Sequence, residues 1–235
     1  MAVVGYGKMG REVETVLLER GHLPVIASRG TAYPPGCVVG IDFTAPSSVT
    51  ANVAAALVAG SRYVVGTTGW SGHLDEIRML VETSGGGLVH AANFSIGVNL
   101  FYRIVRQAAK ALAPFTDYDP YILERHHREK KDAPSGTARV LTSILEEAGG
   151  ARHRAATRLE GALPPDAFHV ASVRAGGTVG EHTVGFDSGA DEILLEHRAR
   201  SRRGFALGAV LAGEWIADRT GFYPFEAVLE ELARP

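Results

Sequence analysis

Gly5-Tyr6-Gly7-Lys8-Met9-Gly10 is the stretch on which the reading of this chain turns. It follows a short apolar run at residues 2–5. It opens residues 9–20, where Met9, Val13, Val16 and Leu17 recur on one helical face. Gly21 then closes the pattern as a C′ residue. A G-x-G-x-x-G spacing between a strand and a helix gives each glycine a task. The first permits a tight turn, the second lets the backbone approach a pyrophosphate, and the third lets helix and strand pack closely. Phosphates would then sit at the helix N-terminus, where N–H groups and the macrodipole favour anions. Lys8 and Arg11 add positive charge there. The spacing predicts a Rossmann site for a dinucleotide built from Gly5, Gly7, Lys8, Met9 and Gly10.

Outward from this run, residues 23–27, 38–43, 63–65 and 88–91 read as further strands. Helical patterns lie among them: Val49, Val53, Ala56 and Leu57, closed by Gly60, then Leu74, Ile77, Leu80 and Val81. Strands alternating with helices imply βαβ units and a parallel sheet. The pattern changes near residue 97. A long helix over 98–113 carries Phe101, Ile104, Val105, Ala108 and Leu112 on one face. A strand at 121–125 and a helix at 135–148 follow, with Ser135 as the N-cap. Three strand-like runs, 169–174, 182–186 and 193–199, come with no helical pattern between them. A last helix spans 205–219, with Leu207, Val210, Leu211 and Trp215 in step. The fold class is therefore α/β. An N-terminal Rossmann dinucleotide-binding domain covers residues 1–96, with 207–235 packing back on it. An α+β C-terminal domain with a mixed sheet covers 97–206 and is expected to bind substrate and carry oligomerisation.

Composition narrows the function. With 235 residues, 46% hydrophobic and 21% charged, the chain is an ordinary globular one. A net charge of −2 gives no general attraction to nucleic acid or to an anionic membrane, so neither is expected as a partner. A single cysteine, Cys37, rules out an internal disulfide and a cysteine-based zinc site. No signal peptide or membrane span is legible, so a cytoplasmic location is expected.

The end of the second strand reads Val25-Ile26-Ala27-Ser28-Arg29. A carboxylate about 20 residues beyond the glycine run would bind a ribose 2′-hydroxyl, but none is present here. Ser28 and Arg29 stand in its place, and an arginine accommodates a 2′-phosphate. NADPH is the expected cofactor, with NADH as the second.

The densest polar cluster runs from Glu124 to Ala138 and includes His126, His127, Lys130, Asp132, Ser135, Gly136 and Thr137. It leaves a strand and enters a helix. Its histidines and lysines can move protons or bind carboxylates, and the start of the helix can bind an anion. The histidines lack the i, i+4 helical spacing of a metalloprotease, and no metal is expected. Read as E-x-H-H-x-x-K-x-D-A-P-S-G-T-A, this run resembles the signature of the dihydrodipicolinate reductases, also called 4-hydroxy-tetrahydrodipicolinate reductases. Asp42-Phe43-Thr44, Gly66-Thr67-Thr68-Gly69, the segment Ala92-Asn93-Phe94-Ser95-Ile96-Gly97-Val98-Asn99 and His197-Arg198-Ala199 carry the resemblance over nearly the whole chain. The connection between the second and third strands is shorter than in typical members, and Arg200 stands where serine is commoner.

The resemblance implies reduction of a cyclic unsaturated dicarboxylate to tetrahydrodipicolinate, on the route to diaminopimelate and lysine. It implies that His127, Lys130, Gly136 and Thr137 hold the substrate carboxylates. It makes His126 and Lys130 the catalytic candidates. An unperturbed histidine titrates near about 6.5, so His126 is the better acid and Lys130 the binder and electrostatic stabiliser. It adds Gly66, Thr67, Thr68, Ala92, Asn93 and Phe94 to the cofactor contacts, although Phe94 and Trp70 read as packing side chains. It also implies a homotetramer, and a hinge that lets both ligands be enclosed. Two other readings stay open: a diaminopimelate or aspartate dehydrogenase, and a non-catalytic NADPH sensor. The absence of a carboxylate after the second strand predicts a higher kcat/KM with NADPH than with NADH. A strong NADH preference in parallel assays would refute that reading of Ser28 and Arg29.

Overall fold

The computed structural model describes residues 1–27, 32–149 and 154–234. They divide into two compact units, Met1–Ile96 with Arg202–Pro235, and Gly97–Ser201. The C-terminal segment of the first unit thus begins at Arg202, where the sequence pointed to residue 207.

The first unit is a six-stranded parallel sheet. Strands β1 (Ala2–Val4), β2 (Val25–Ala27), β3 (Val39–Asp42), β4 (Arg62–Val65), β5 (Gly87–His90) and β11 (Gly221–Pro224) stand in the order β11-β5-β4-β3-β1-β2. Alternate residues of each strand feed opposite faces, as the pleat requires. Val3, Ile41, Val64 and Val89 join one core with α1 (Lys8–Glu19), α6 (Arg203–Ile216) and α7 (Phe225–Leu232). Ala2, Val4, Tyr63, Val65 and Leu88 join the other with α2 (Val49–Val58) and α3 (Leu74–Thr83). Both faces are covered, which is why these strands read as continuous apolar runs. Chain direction across the sheet reverses between β1 and β3. The crevice at such a switch point is where ligands of doubly wound sheets bind.

Three elements were not legible in the sequence: β7 (Arg154–Ala156), β11 and α7. Both strands are short and lie at sheet edges, where pairing on one side suffices and the alternation signal is weak. Pro224 at the end of β11 is compatible with that edge position. The buried face of α6 also differs from the one expected. It is Ala206, Gly208, Ala209, Val210, Ala212, Gly213, Trp215 and Ile216, while Leu207 and Leu211 are only half-buried. Small residues win there because the backbone must come close. A Cβ on Gly208 would stand 1.8 Å from the Phe94 carbonyl oxygen.

The second unit is a five-stranded mixed sheet of order β10-β9-β6-β8-β7. Here β6 (Asp119–His126) is central, parallel to β8 (Ala167–Arg174) and antiparallel to β9 (Gly180–Asp187). The last strand, β10 (Glu192–Ala199), pairs antiparallel with β9. Helices α4 (Ile96–Leu112) and α5 (Gly136–Gly149) cover one face with Phe101, Val105, Leu141, Ile144 and Leu145. The other face displays Leu123, Val173 and Leu194 among the ion-paired Arg125, Glu181, Glu196 and Arg198. No helix among the described residues is long and apolar enough to cross a membrane.

The close approach at α6 predicts opposite outcomes for two glycines of one helix. Gly208→Ala forces its methyl into backbone and should cost about 2 kcal/mol or more. A Cβ on Gly213 meets only side chains, at 3.5 Å. Gly213→Ala should therefore be neutral or stabilise by up to about 1 kcal/mol through helix propensity. Thermal melts of the two variants check the contrast.

Candidate active site

In the first unit the glycine run sits as its spacing predicts. Gly5 turns the chain with φ +87°, and a Cβ there would stand 2.8 Å from the Phe43 carbonyl oxygen. On Gly10 a Cβ would stand 2.1 Å from the Gly5 carbonyl oxygen, so helix and turn close only over glycine. Gly7 is the N-cap of α1 and makes no side-chain cap. A Cβ on Gly7 would meet no protein atom within 4 Å. Neither neighbouring packing nor positive φ requires glycine at Gly7, and the bare backbone there suits the approach of a phosphate. No acidic residue lies in the first turn of α1 to repel one. Lys8 is exposed, whereas Met9 is half-buried against the core. These residues fit a dinucleotide.

Behind the adjoining loops lies a network that sequence reasoning missed as functional. Asp42, at the end of β3, is fully buried. Its Oδ1 accepts from the Thr44 N–H (2.8 Å), the Thr44 hydroxyl (2.7 Å) and the Thr67 hydroxyl (2.9 Å). Its Oδ2 accepts from Asn52 (2.9 Å) and the Tyr63 hydroxyl (3.0 Å). Burial, then the charge of Asp42, pushes the Tyr63 hydroxyl well above its usual pKa, so it stays a donor. Thr67 is buried and its hydroxyl is spent on this network, while Thr68 is exposed. A Cβ on Gly66 would stand 2.2 Å from the Phe43 ring, so that position needs glycine for packing. Ala92 is exposed, and Asn93 accepts the Ser95 N–H at 2.8 Å. The Phe94 ring is buried against Phe225, with centroids 4.7 Å apart, which leaves only its backbone for a ligand. Ser28 and Arg29 lie outside the described residues.

In the second unit the alternation of β6 buries Ile122, Glu124 and His126 on one face. Glu124 is fully buried, and its Oε2 contacts Nδ1 of His126. Its Oε1 accepts from Arg174 (2.7 Å) and from the Ser135 N–H (3.2 Å). Burial alone would raise the Glu124 pKa. Hydrogen bonding from His126 and Arg174 outweighs it and holds the carboxyl well below its usual range. Ser135 caps α5 as expected, its hydroxyl accepting the Ala138 N–H at 3.1 Å. The same hydroxyl lies 3.2 Å from Nε2 of His182. The His126 and His182 rings meet edge to face at 5.1 Å. Gly180 gives the His126 ring its room, since a Cβ there would stand 3.0 Å from Nε2.

The loop between these ends folds back on the sheet. The His127 N–H donates to Thr178 O at 2.8 Å, and Arg174 donates to Asp132 O at 2.6 Å. Lys130 pairs with Asp132 at 2.7 Å. Gly136 and Thr137 open α5, and a Cβ on Gly136 would meet nothing within 4 Å. The start of α5 is therefore open to an anionic group. Glu124, His126 and His182 offer ligand atoms within 4.8 Å of one another. Oε1 of Glu124 is held by Arg174, and a cation at that oxygen would have to compete with the guanidinium.

Two family models meet near the Ile96–Gly97 boundary of the two units, and the second runs on past Ser201 into the first unit. One for the N-terminus of dihydrodipicolinate reductase matches residues 28–94, and one for its C-terminus matches residues 97–229. The chain belongs to the dihydrodipicolinate reductase family. The 4-hydroxy-tetrahydrodipicolinate reductase of Christiangramia forsetii is 33% identical over 99% of this chain and 98% of its own. That of Archaeoglobus fulgidus is 41% identical over 81% and 75%. A dipicolinate-bound dihydrodipicolinate reductase from Paenisporosarcina shares the fold, with a TM-score of 0.76 at 24% identity over 96% of this chain and 98% of that one. Diaminopimelate dehydrogenase of C. glutamicum shares the fold at a TM-score of 0.55 and 12% identity, over 100% of this chain and 95% of that one. In this reductase the sequence motif supplied His126 and Ser135 directly. Glu124 stood in the same motif without a role, although an E-x-H spacing in a strand places both side chains on one face. Arg174 and His182 come from other strands; their segments resemble the family's C-terminal sheet, but sequence reasoning assigned neither residue a role.

Burial, then the nearby His126, lowers the His182 pKa to about 3. The unfolded chain takes up this proton near about 6.5 and the folded chain does not, so stability is lost as pH falls through that window. Between pH 6.5 and 5 the loss should reach about 2 kcal/mol, above the range where Glu124 adds to it. His182→Gln should flatten the fall, as followed by denaturant unfolding at each pH. Equal slopes in both proteins would refute the assignment.

Proposed function

We propose that this reductase uses NADPH, or NADH less well, to reduce 4-hydroxy-tetrahydrodipicolinate to tetrahydrodipicolinate in diaminopimelate and lysine biosynthesis. The observation that carries the reading is that one buried carboxylate, Glu124, contacts both a buried acid-capable histidine, His126, and the cap residue of α5, Ser135, in the unit matched by the family's C-terminal model. The nicotinamide, when bound to the first unit, supplies the hydride. Gly5, Gly7, Lys8, Met9 and Gly10 take the pyrophosphate side. Gly66, Thr67, Thr68, Ala92, Asn93 and the Phe94 backbone line the remainder, and Ser28 with Arg29 receives the 2′-phosphate.

The second unit deals with the dicarboxylate. A dianion requires cations and aimed N–H groups, which His127, Lys130, Gly136 and Thr137 provide. Lys130 already holds one carboxylate, Asp132, and exchange of that partner for substrate keeps its charge compensated. His126 gives up the proton that completes the reduction, and solvent restores it. Leu123, Val173 and Leu194 on the open sheet face favour a homotetramer assembled through that face. A cytoplasmic location suits a pathway enzyme of this kind.

The test is loss of NADPH absorbance when purified protein meets substrate made in place from pyruvate and aspartate semialdehyde by a synthase. Synthase-dependent oxidation is expected. His126→Gln should lower kcat by about 100-fold, a general-acid loss, while leaving NADPH affinity unchanged. Cofactor binding without turnover in the parent protein would overturn the proposal.

A further inference from the structure

Glu124, near the end of β6, is a fully buried carboxylate. Burying a charge costs several kcal/mol unless each oxygen finds a strong donor. A core strand position beside Ile122 would be served more cheaply by an apolar residue. Three of the partners of Glu124 come from three separate places. One is the last residue of β6, one is Arg174 at the end of β8, and one is the cap of α5. Two of these partners are the ends of the loop that carries His127 and Lys130.

We infer that Glu124 is the positioning residue of this site: its carboxylate holds His126 with Nδ1 protonated and turned inward, and ties that ring to the anion-binding start of α5. The inference rests on the proposed role of His126 as the acid. An Nδ1–H donated to Glu124 leaves Nε2 as the nitrogen that exchanges protons with substrate. After Nε2 releases its proton to the substrate, the ring is neutral and keeps its Nδ1–H on Glu124. Solvent then returns a proton to Nε2, and the cycle balances.

The charges facing His126 support this division of labour. Glu124 is the anion in direct contact. Arg174 is a cation, but it binds the other carboxylate oxygen. His182, on β9, is held neutral at physiological pH by burial, and burial lowers His197 on β10 as well. Lys130 is compensated by Asp132. One carboxylate oxygen therefore remains to stabilise the protonated ring.

Two measurements test the inference. In the wild-type protein labelled with 15N-histidine, long-range 1H–15N correlation should find the neutral His126 ring protonated at Nδ1. A neutral ring protonated at Nε2 would overturn the inference, and this result needs no substrate. In the coupled assay, Glu124→Gln should lower kcat by about ten-fold or more at pH 8, with a smaller change in substrate KM. The deficit should shrink toward pH 6, because loss of the anion moves the falling limb of the rate profile to lower pH. NADPH affinity, read by fluorescence, should be unchanged. A uniform deficit at every pH, or none, would overturn it. If Glu124→Gln does not fold, Glu124→Asp keeps the charge on a shorter stem. It should then retain the wild-type pH profile at reduced kcat, and a shifted profile counts against the inference. Failure of the wild-type protein to turn over would instead sink the proposed function and leave the tautomer result standing.

Discussion

The second unit is organised around one electrostatic constraint: a carboxylate without solvent exposure must be satisfied by the protein itself. Each hydrogen bond to a charged group contributes roughly 1.5–3 kcal/mol, so one partner would not offset the burial of Glu124. Three partners do, and meeting them dictates geometry. Arg174 must reach across from β8, the α5 cap must come down onto β6, and the His126 ring must lie flat enough to leave Gly180 bare. A charge that would be a liability in a purely structural core becomes the reason that the loop between β6 and α5 has fixed ends. The hydrophobic cluster behind it, from Phe101 to Leu145, then sets only the distance between sheet and helices.

The first unit solves a similar problem with a different carboxylate. Asp42 has no cation beside it among the described residues. Five neutral donors from four residues surround it, drawn from the loop after β3, the α2 helix, β4 and the loop after β4. Both buried acids stand near the ends of parallel strands, where loops converge and backbone N–H groups run out of sheet partners. In each unit the acid steadies loops whose backbone lies at the proposed ligand site. The glycines complement them: Gly10 and Gly66 admit protein, while Gly7 and Gly136 leave backbone accessible.

Local chemistry explains which features could be read from the chain. Gly5, Gly7 and Gly10 carry a steric logic that needs only a strand before and a helix after. Ser135 caps α5 through an interaction that spans three residues. Periodicity likewise placed the long elements, because buried faces repeat at fixed intervals. It failed for β7 and β11, which are too short to show alternation, and in α6 it placed the helix, Val210 and Trp215 but not the rest of the buried face. There the apolar pattern favoured Leu207 and Leu211, but close approach to the Phe94 carbonyl demanded alanines and glycines.

The sequence by itself determined the family and the two-part α/β plan, and it named the residues proposed to bind a dinucleotide or move a proton. These depend on spacing along the chain and on side-chain chemistry that does not change with folding. Only the tertiary structure decided what each polar group does. Arg174 and His182 lie far from Glu124 in sequence and meet it through strand register. Thr67 spends its hydroxyl on Asp42, and Phe94 turns its ring into the core. Such assignments depend on burial and on the competition for a limited number of hydrogen-bond partners, which exist only once the strands are paired.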